Sequence, residues 1–301
     1  MRVFITGASG HIGSAVVPEL IAAGHEVTGL ARSDSSAAAL NARGAAVRRG
    51  TLDDLDVLRS GAEEADGVIH LAFKHEAMRS GDMEAAVAAE MLAVPAMLDA
   101  LAGTGKPFAS TSGTLLLAFL APGRLGKETD ALPGGGRVDS ENLVIASAAR
   151  GVRTSVIRLP PTVHSSLDHH GFIPTLIGIA RARGVAGYVG DGANRWPAGN
   201  TLDAGHLYRL ALESAPAGSR LHAVGDEGVP FKEIAEAIGR NLGLPVASIA
   251  AEDANEHFGF LGGLVQLDNP TSSELTRKLL GWAPTHPGLI ADMDEGHYFR
   301  G

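Results

Sequence analysis

Thr6-Gly7-Ala8-Ser9-Gly10-His11-Ile12-Gly13 is the first stretch whose residue types and spacing could do chemistry. Glycines three apart let a backbone turn tightly, approach a pyrophosphate without a Cβ in the way, and seat a helix closely on a strand. Where a helix starts on such a turn, its free N–H groups and partial positive charge face the anion. The backbone of Gly7, Ser9, Gly10, His11, Ile12 and Gly13 is therefore a candidate cradle for a dinucleotide. With 39 glycines in the chain the pattern alone is weak, and an ordinary strand–helix turn is the competing reading. Its place between a β-branched run and an amphipathic segment gives it weight.

The end of the next strand-like segment reads Ala31-Arg32-Ser33-Asp34. A cofactor with a 2′-phosphate wants a guanidinium there, and one with a free 2′-hydroxyl wants a carboxylate. Arg32, with Ser33 as a further donor, favours NADP(H) over NAD(H); Asp34 is the competing reading, and a merely solvated Arg32 the bland one. Other polar groups fall where such sheets bind ligands, at the carboxyl ends of strands. Lys74 and His75 form one pair at the mouth of the site, with tunable pKa values that could supply a proton and His75 a substrate candidate; a solvated loop pair is the competing reading. His164, Ser165, Ser166, Asp168, His169 and His170 form a second set. Their spacing matches no metal-ligand pattern, so they are read as substrate-loop polarity, with His164 a substrate candidate and no metal expected. Tyr188 and Tyr208 are the phenols at plausible depth. Tyr188 and Trp196, the latter beside Arg195, are candidates for a substrate wall, although ordinary packing explains either.

Around these residues the first half alternates strand-like and helix-like segments, the pattern of a parallel sheet with helices on both faces. Strands are expected at Arg2–Thr6, Glu26–Ala31, Ala46–Arg49, Gly67–Leu71, Pro107–Thr111 and Arg153–Leu159. Helices are expected at His11–Ala23, Ser35–Arg43, from Asp53 or Asp54 through Ser60, Asp82–Leu101 and Arg137–Arg150, with Pro18 kinking or weakening the first. After Pro160-Pro161 the rhythm loosens, and the clear helices are Ile173–Arg183 and Phe231–Leu242. The expected fold is α/β: a Rossmann-type, doubly wound parallel sheet over residues 1–165, with a smaller C-terminal substrate lobe over 166–301. Residues 199–225 are expected to rejoin the sheet.

Composition narrows the partners. The chain has 301 residues, 45% apolar, with 25 basic against 34 acidic side chains and a net charge of −9. That balance argues against nucleic acid, which needs a basic stripe. No apolar run approaches the roughly 20 residues a membrane helix requires. The absence of cysteine excludes disulfides, thiolate metal sites and Cys nucleophiles, and suits a cytoplasmic enzyme. The expected partner is a small-molecule substrate, and a homodimer is left open.

Several motifs together resemble the extended, atypical branch of the short-chain dehydrogenase/reductases, the NAD(P)-dependent epimerase/dehydratase-like proteins. Besides the opening glycines these are Gly67-Val68-Ile69-His70-Leu71-Ala72, Arg158-Leu159-Pro160-Pro161-Thr162-Val163, Thr201-Leu202-Asp203-Ala204, and Ser272-Ser273 through Lys278-Leu279-Leu280-Gly281-Trp282-Ala283-Pro284. The resemblance implies that Leu71, Ala72 and Phe73 line the cofactor and that backbone at Pro160 and Val163 meets the nicotinamide. In the third-strand motif, Gly50-Thr51-Leu52-Asp53-Asp54, Thr51 stands where an acid usually meets the adenine, with Leu52 beside it. The fifth-strand end, Phe108-Ala109-Ser110-Thr111-Ser112-Gly113, implies that Ser112 orients a carbonyl, with Thr111 alongside. Such a hydroxyl polarises the oxygen as charge develops, although strand-end Ser/Thr clusters also cap backbone.

One departure is large. The family's acid is a Tyr, with a Lys four residues later that lowers its pKa and holds the nicotinamide ribose. The lysines here are Lys74, Lys106, Lys127, Lys232 and Lys278, preceded at that spacing by His70, Ala102, Gly123, Gly228 and Glu274. Alignment through Glu141 sets Arg137 at the Lys position and Pro133 at the Tyr position. Arg137 can still hold ribose hydroxyls; Pro133 can do no acid–base chemistry. The sequence thus reads as an NADPH-dependent oxidoreductase reducing a ketone or aldehyde through an atypical site of Ser112, Thr111, Arg137 and Lys74. A catalytically inactive NAD(P)-binding redox sensor is the alternative. A sugar-nucleotide epimerase or dehydratase is a further one, less favoured because it leans harder on the absent pair.

Overall fold

The computed structural model describes residues 1–74, 82–120 and 123–300. Its first half is a run of strand–helix units: β1 (Arg2–Thr6), α1 (Gly13–Ala22), β2 (Glu26–Ala31), α2 (Asp34–Ala42), β3 (Ala46–Arg49), α3 (Leu55–Glu64) and β4 (Gly67–His70). Then come α4 (Met83–Leu101), β5 (Pro107–Gly113), α5 (Arg137–Ala146) and β6 (Arg153–Leu159). β7 (Thr162–His164), α6 (Phe172–Arg183), β8 (Ala186–Val189), β9 (Arg195–Asn200), α7 (Thr201–Ser214) and β10 (Ser219–His222) follow. The later elements are β11 (Asp226–Pro230), α8 (Phe231–Leu242), β12 (Val246–Ile249) and the short helices α9 (Ala254–Phe258), α10 (Glu274–Leu280) and α11 (Leu289–Asp294).

The main sheet has the order β10-β6-β5-β4-β1-β2-β3, every pairing parallel. This is the doubly wound α/β arrangement, and strand order reverses between β1 and β4, where such sheets open a crevice. Period-two alternation sends Val3, Ile5, Ile69 and Ala109 into the core under α1 and α7, and Phe4, Val68 and Phe108 into the core under α3, α4 and α5. Pro18 does not end α1. It removes one N–H donor from the ladder while Val16, Val17 and Leu20 stay buried around it, so packing outweighs the propensity cost. Asp54 precedes α3 without capping it through its side chain. Its carboxylate instead takes the amide and hydroxyl of Thr51, at 2.7 and 2.8 Å.

Beyond Pro161 the chain leaves the sheet: β7 pairs with β9, β11 adds antiparallel to β9, and β8 pairs with β12. Trp196, Phe231, Ile234, Ile177 and Met293 form this region's own core. The chain returns through α7, packed beside α1, and through β10, parallel to β6. Among the described residues no helix is long and apolar enough to cross a membrane.

Candidate active site

The glycine turn after β1 is shaped by near-contact. Gly7 has φ +71°, and a Cβ there would lie 2.7 Å from the Ala72 amide nitrogen, just past β4. A Cβ on Gly13 would lie 2.4 Å from the Ala8 carbonyl oxygen, so only glycine lets α1 seat on the turn. Gly10 is less constrained, its nearest neighbour being the Gly7 carbonyl oxygen at 3.3 Å. No side chain caps the N-terminus of α1; the amides of Ser14, Ala15 and Val16 bond instead to the carbonyls of Gly10, His11 and Ile12 in the turn itself. His11 turns from the loop to the Thr201 hydroxyl, 2.9 Å from Nε2, and burial pulls its pKa down despite nearby Asp168.

At the β2 end Arg32 is exposed, while Ser33 caps α2 by accepting from the Ser36 amide. Asp34, expected as the competitor for a ribose, pairs with Arg49 at the end of β3. Two guanidiniums and one carboxylate therefore stand near this corner. The Thr51 hydroxyl is occupied within its turn by Asp54, and Leu52 is buried in the α3–α5 core. Lys74 places both of its contacts on Asp53, 2.8 Å to each oxygen. Its ammonium thus leans toward the β3 corner and away from the candidate reaction centre. His75 lies outside the described residues.

The reaction-centre candidates gather at the carboxyl ends of β4 and β5. Arg137, the first residue of α5, stacks over the Phe73 ring at 4.2 Å and donates to the Thr111 carbonyl at 3.1 Å. The Thr111 hydroxyl donates to the His70 carbonyl at 2.8 Å and lies 2.7 Å from the Tyr208 hydroxyl, which accordingly donates to it. Burial raises the Tyr208 pKa, so this phenol stays neutral. Ser112 was expected alongside Thr111, but β5 extends to Gly113 and the two side chains fall on opposite faces. The Ser112 hydroxyl is buried beside the Glu141 carboxylate. Burial opposes the charge of Glu141, yet Arg158 at 3.0 and 2.5 Å and Arg220 at 2.7 Å hold its pKa below the usual range. His70 accepts from or donates to Thr6 at 2.7 Å, and burial, reinforced by Arg137, pulls its pKa down to about 4. Pro133 sits exposed in the loop before α5.

Past β6, Pro160 is buried and Val163 half-buried where the chain leaves the sheet. His164 is wholly buried, its Nδ1 2.9 Å from Asp292, which also takes His297 at 3.1 Å. Two substrate candidates are corrected. Trp196 is fully buried in the lobe core between Phe172 and Phe231, ring centroids 5.8 and 5.0 Å away, and forms no wall of an open site. Tyr188 lies in the β8–β12 pair against Gly192 with Lys232 over its ring, again in lobe packing.

Sequence reasoning missed Glu90, a buried acid on α4 facing Arg137, although one acid on an otherwise apolar stripe of Ala86, Ala89, Ala93, Val94 and Met97 was a readable signal. It also missed the Tyr208–Thr111 contact, which joins residues far apart in the chain and has no local signature.

A dinucleotide fits these residues. A cradle that tolerates no Cβ at Gly7 or Gly13 stands at one end of the crest; the Ser112 hydroxyl and the Arg137 guanidinium, over the Phe73 ring, stand at the other. Residues 3–115 match the model of the NAD dependent epimerase/dehydratase family. An uncharacterized protein of Schizosaccharomyces pombe is 46% identical over 301 residues, covering 99% of this chain and 100% of its own. A 4-hydroxy-2-methyl-3-oxo-4-farnesyl-3,4-dihydroquinoline-1-oxide ketoreductase of Stigmatella aurantiaca is 30% identical over 190 residues, 61% of this chain and 56% of that protein. Among solved structures, the dTDP-glucose 4,6-dehydratase DesIV of Streptomyces venezuelae, with NAD and TYD bound, superposes with a TM-score of 0.76 at 20% identity, over 98% of this chain and 96% of that one.

Proposed function

Because the chain belongs to the NAD-dependent epimerase/dehydratase family, we propose that it is an oxidoreductase using NADP(H) to reduce a small ketone or aldehyde. The carrying observation is Arg137, lodged between the Phe73 ring and the Thr111 carbonyl at the mouth beside the glycine turn. Gly7 to Gly13 would hold the pyrophosphate, and Arg32, near the Asp34–Arg49 pair, would meet the 2′-phosphate. When bound, the cofactor supplies a hydride for the carbonyl carbon. Arg137, whose planar fork of donors carries a permanent charge, would steady ribose hydroxyls and the negative charge growing on the carbonyl oxygen. Ser112 would orient that oxygen, the Thr111 proton being committed to the His70 carbonyl. No Tyr-x-x-x-Lys pair exists to deliver the proton, which leaves solvent or another side chain to supply it. Loss of such a donor typically costs about 10²–10⁴-fold, so slow turnover survives it. The lobe built on β7, β9 and β11 would close over the substrate.

Epimerase and dehydratase chemistry is less supported, since Pro133 stands where the acid–base phenol would be needed. The test is NADPH oxidation against a panel of ketones, aldehydes and activated alkenes, in the wild type, Ser112→Ala and Arg137→Ala. The reading predicts turnover of at least one acceptor and a marked loss in Arg137→Ala. Tight NADPH binding with no turnover of any acceptor would instead assign the protein to the non-catalytic, redox-sensing class.

A further inference from the structure

Two unpartnered polar atoms face each other beneath the candidate site. Glu90 Oε2 lies 3.5 Å from Arg137 Nε, and neither makes a hydrogen bond. Only 2% of Glu90 is exposed, on the inward stripe of α4 among Ala86, Ala93, Val94 and Met97. An isolated acid there is expensive to bury, and a buried ion pair is poor at stabilising a fold compared with apolar packing. An acid at such a position is therefore better explained by what it does to its partner. The partner is Arg137, whose remaining contacts, the Phe73 ring and the Thr111 carbonyl, hold it at the mouth between β4 and β5.

We propose that Glu90 is the positioning residue of this site: its carboxylate holds the Nε edge of Arg137 from below, so that the other guanidinium N–H groups are presented to the dinucleotide. This rests on the reading of Arg137 as a cofactor contact. A small rotation converts the 3.5 Å approach into a charge-assisted hydrogen bond, and a guanidinium gripped on one edge loses less freedom when it grips a ligand with the other.

The surroundings make the arrangement sensitive to pH. Facing Glu90 from α5 are Arg137 and the Ser140 hydroxyl; His70, on β4, is close enough to Arg137 to feel its charge. From α3 the buried side chains are Leu58 and Ala62. Burial raises the Glu90 pKa above the ordinary carboxyl range, with Arg137 and Ser140 opposing. Ionised Glu90 therefore costs stability at neutral pH while it orients Arg137. A residue that weakens the fold and strengthens the site separates the two roles experimentally.

The test measures NADPH affinity by fluorescence titration from pH 5 to 8.5, and melting of the cofactor-free protein over the same range, in the wild type, Glu90→Gln and Glu90→Asp. The proposal expects Glu90→Gln to bind about tenfold more weakly at pH 8, to lose the part of the pH profile that rises as Glu90 ionises, and to melt at or above the wild-type temperature. Glu90→Asp should restore part of the affinity. Equal affinity and an identical pH profile in Glu90→Gln would overturn the proposal while leaving the cofactor reading intact. A loss of affinity matched by a loss of melting temperature at pH 8 would also overturn it, by showing a merely structural role. Failure of the wild type to bind NADPH would instead remove the cofactor reading, and this proposal with it.

Discussion

Alanine at Gly7 and at Gly10 should have opposite consequences, because the two glycines are kept for different reasons. Gly7 has φ +71°, a region that costs an L-residue about 1–2 kcal/mol. Its Cβ would also lie 2.7 Å from the Ala72 nitrogen and 2.9 Å from the Leu71 carbonyl carbon. Those are backbone atoms continuing β4, so relief means shifting a strand end, with an overpacking cost of about 1–3 kcal/mol. Gly7→Ala should lose about 2–5 kcal/mol of stability before any ligand is added. Gly10 has no positive φ and no neighbour closer than 3.3 Å, so Gly10→Ala should change stability by less than about 1 kcal/mol. If the turn cradles a pyrophosphate, the same methyl crowds the anion and NADPH affinity falls steeply. Urea unfolding of the free proteins and NADPH titration separate the two effects. Wild-type stability in Gly7→Ala, or wild-type NADPH affinity in Gly10→Ala, would refute the assigned geometry.

Other outcomes follow from the same structure. Arg32→Ala should weaken NADPH far more than NADH, whereas Asp34→Ala should leave NADH binding nearly unchanged because Asp34 is occupied by Arg49; equal losses of both cofactors in Arg32→Ala would reject the 2′-phosphate assignment. His70 is neutral in the fold with a pKa near 4, against 6.5 unfolded, so between those values the unfolded chain takes up the proton and the fold does not. Stability is full above pH 6.5 and falls as pH drops toward 4, by roughly 3 kcal/mol from this group. His70→Gln, which can still bond Thr6, should flatten part of that slope in urea unfolding at stepped pH, and an unchanged slope would contradict it. Trp196→Phe should lower the melting temperature without changing substrate KM, since the ring packs against Phe172 and Phe231; a KM effect with intact stability would return Trp196 to the substrate wall.

What could be read in advance was whatever periodicity and turn chemistry encode locally. β2 and β6 lie at the residues where β-branched runs place them, and the glycine turn joins strand to helix as its spacing requires. Long-range pairing was not legible. Thr111 and Ser112 look like one hydroxyl cluster until β5 is seen to run through both, which turns them to opposite faces. Lys74 has the right position on its strand for a proton donor, yet Asp53, twenty-one residues earlier, captures it. Trp196 could not be assigned to core or site because its neighbours Phe172 and Phe231 flank it from distant helices. Asp203 looked like a motif residue of unknown use; it accepts from the Thr285 amide and His286, while its carbonyl takes the Trp282 indole, which ties the C-terminal motif to α7. Glu90 escaped because its meaning lies in Arg137, which only the packing of α4 on α5 brings near.

The central claim is that a dinucleotide lies along the crest from the glycine turn to Arg137. Amide hydrogen exchange with and without NADPH addresses it residue by residue. The account predicts slowed exchange at Ser9 to Ser14, at Leu71 to Phe73 and at the start of α5, with little change in β8, β12 and α8. Protection confined to that C-terminal region, or none at the glycine turn under saturating NADPH, would contradict it.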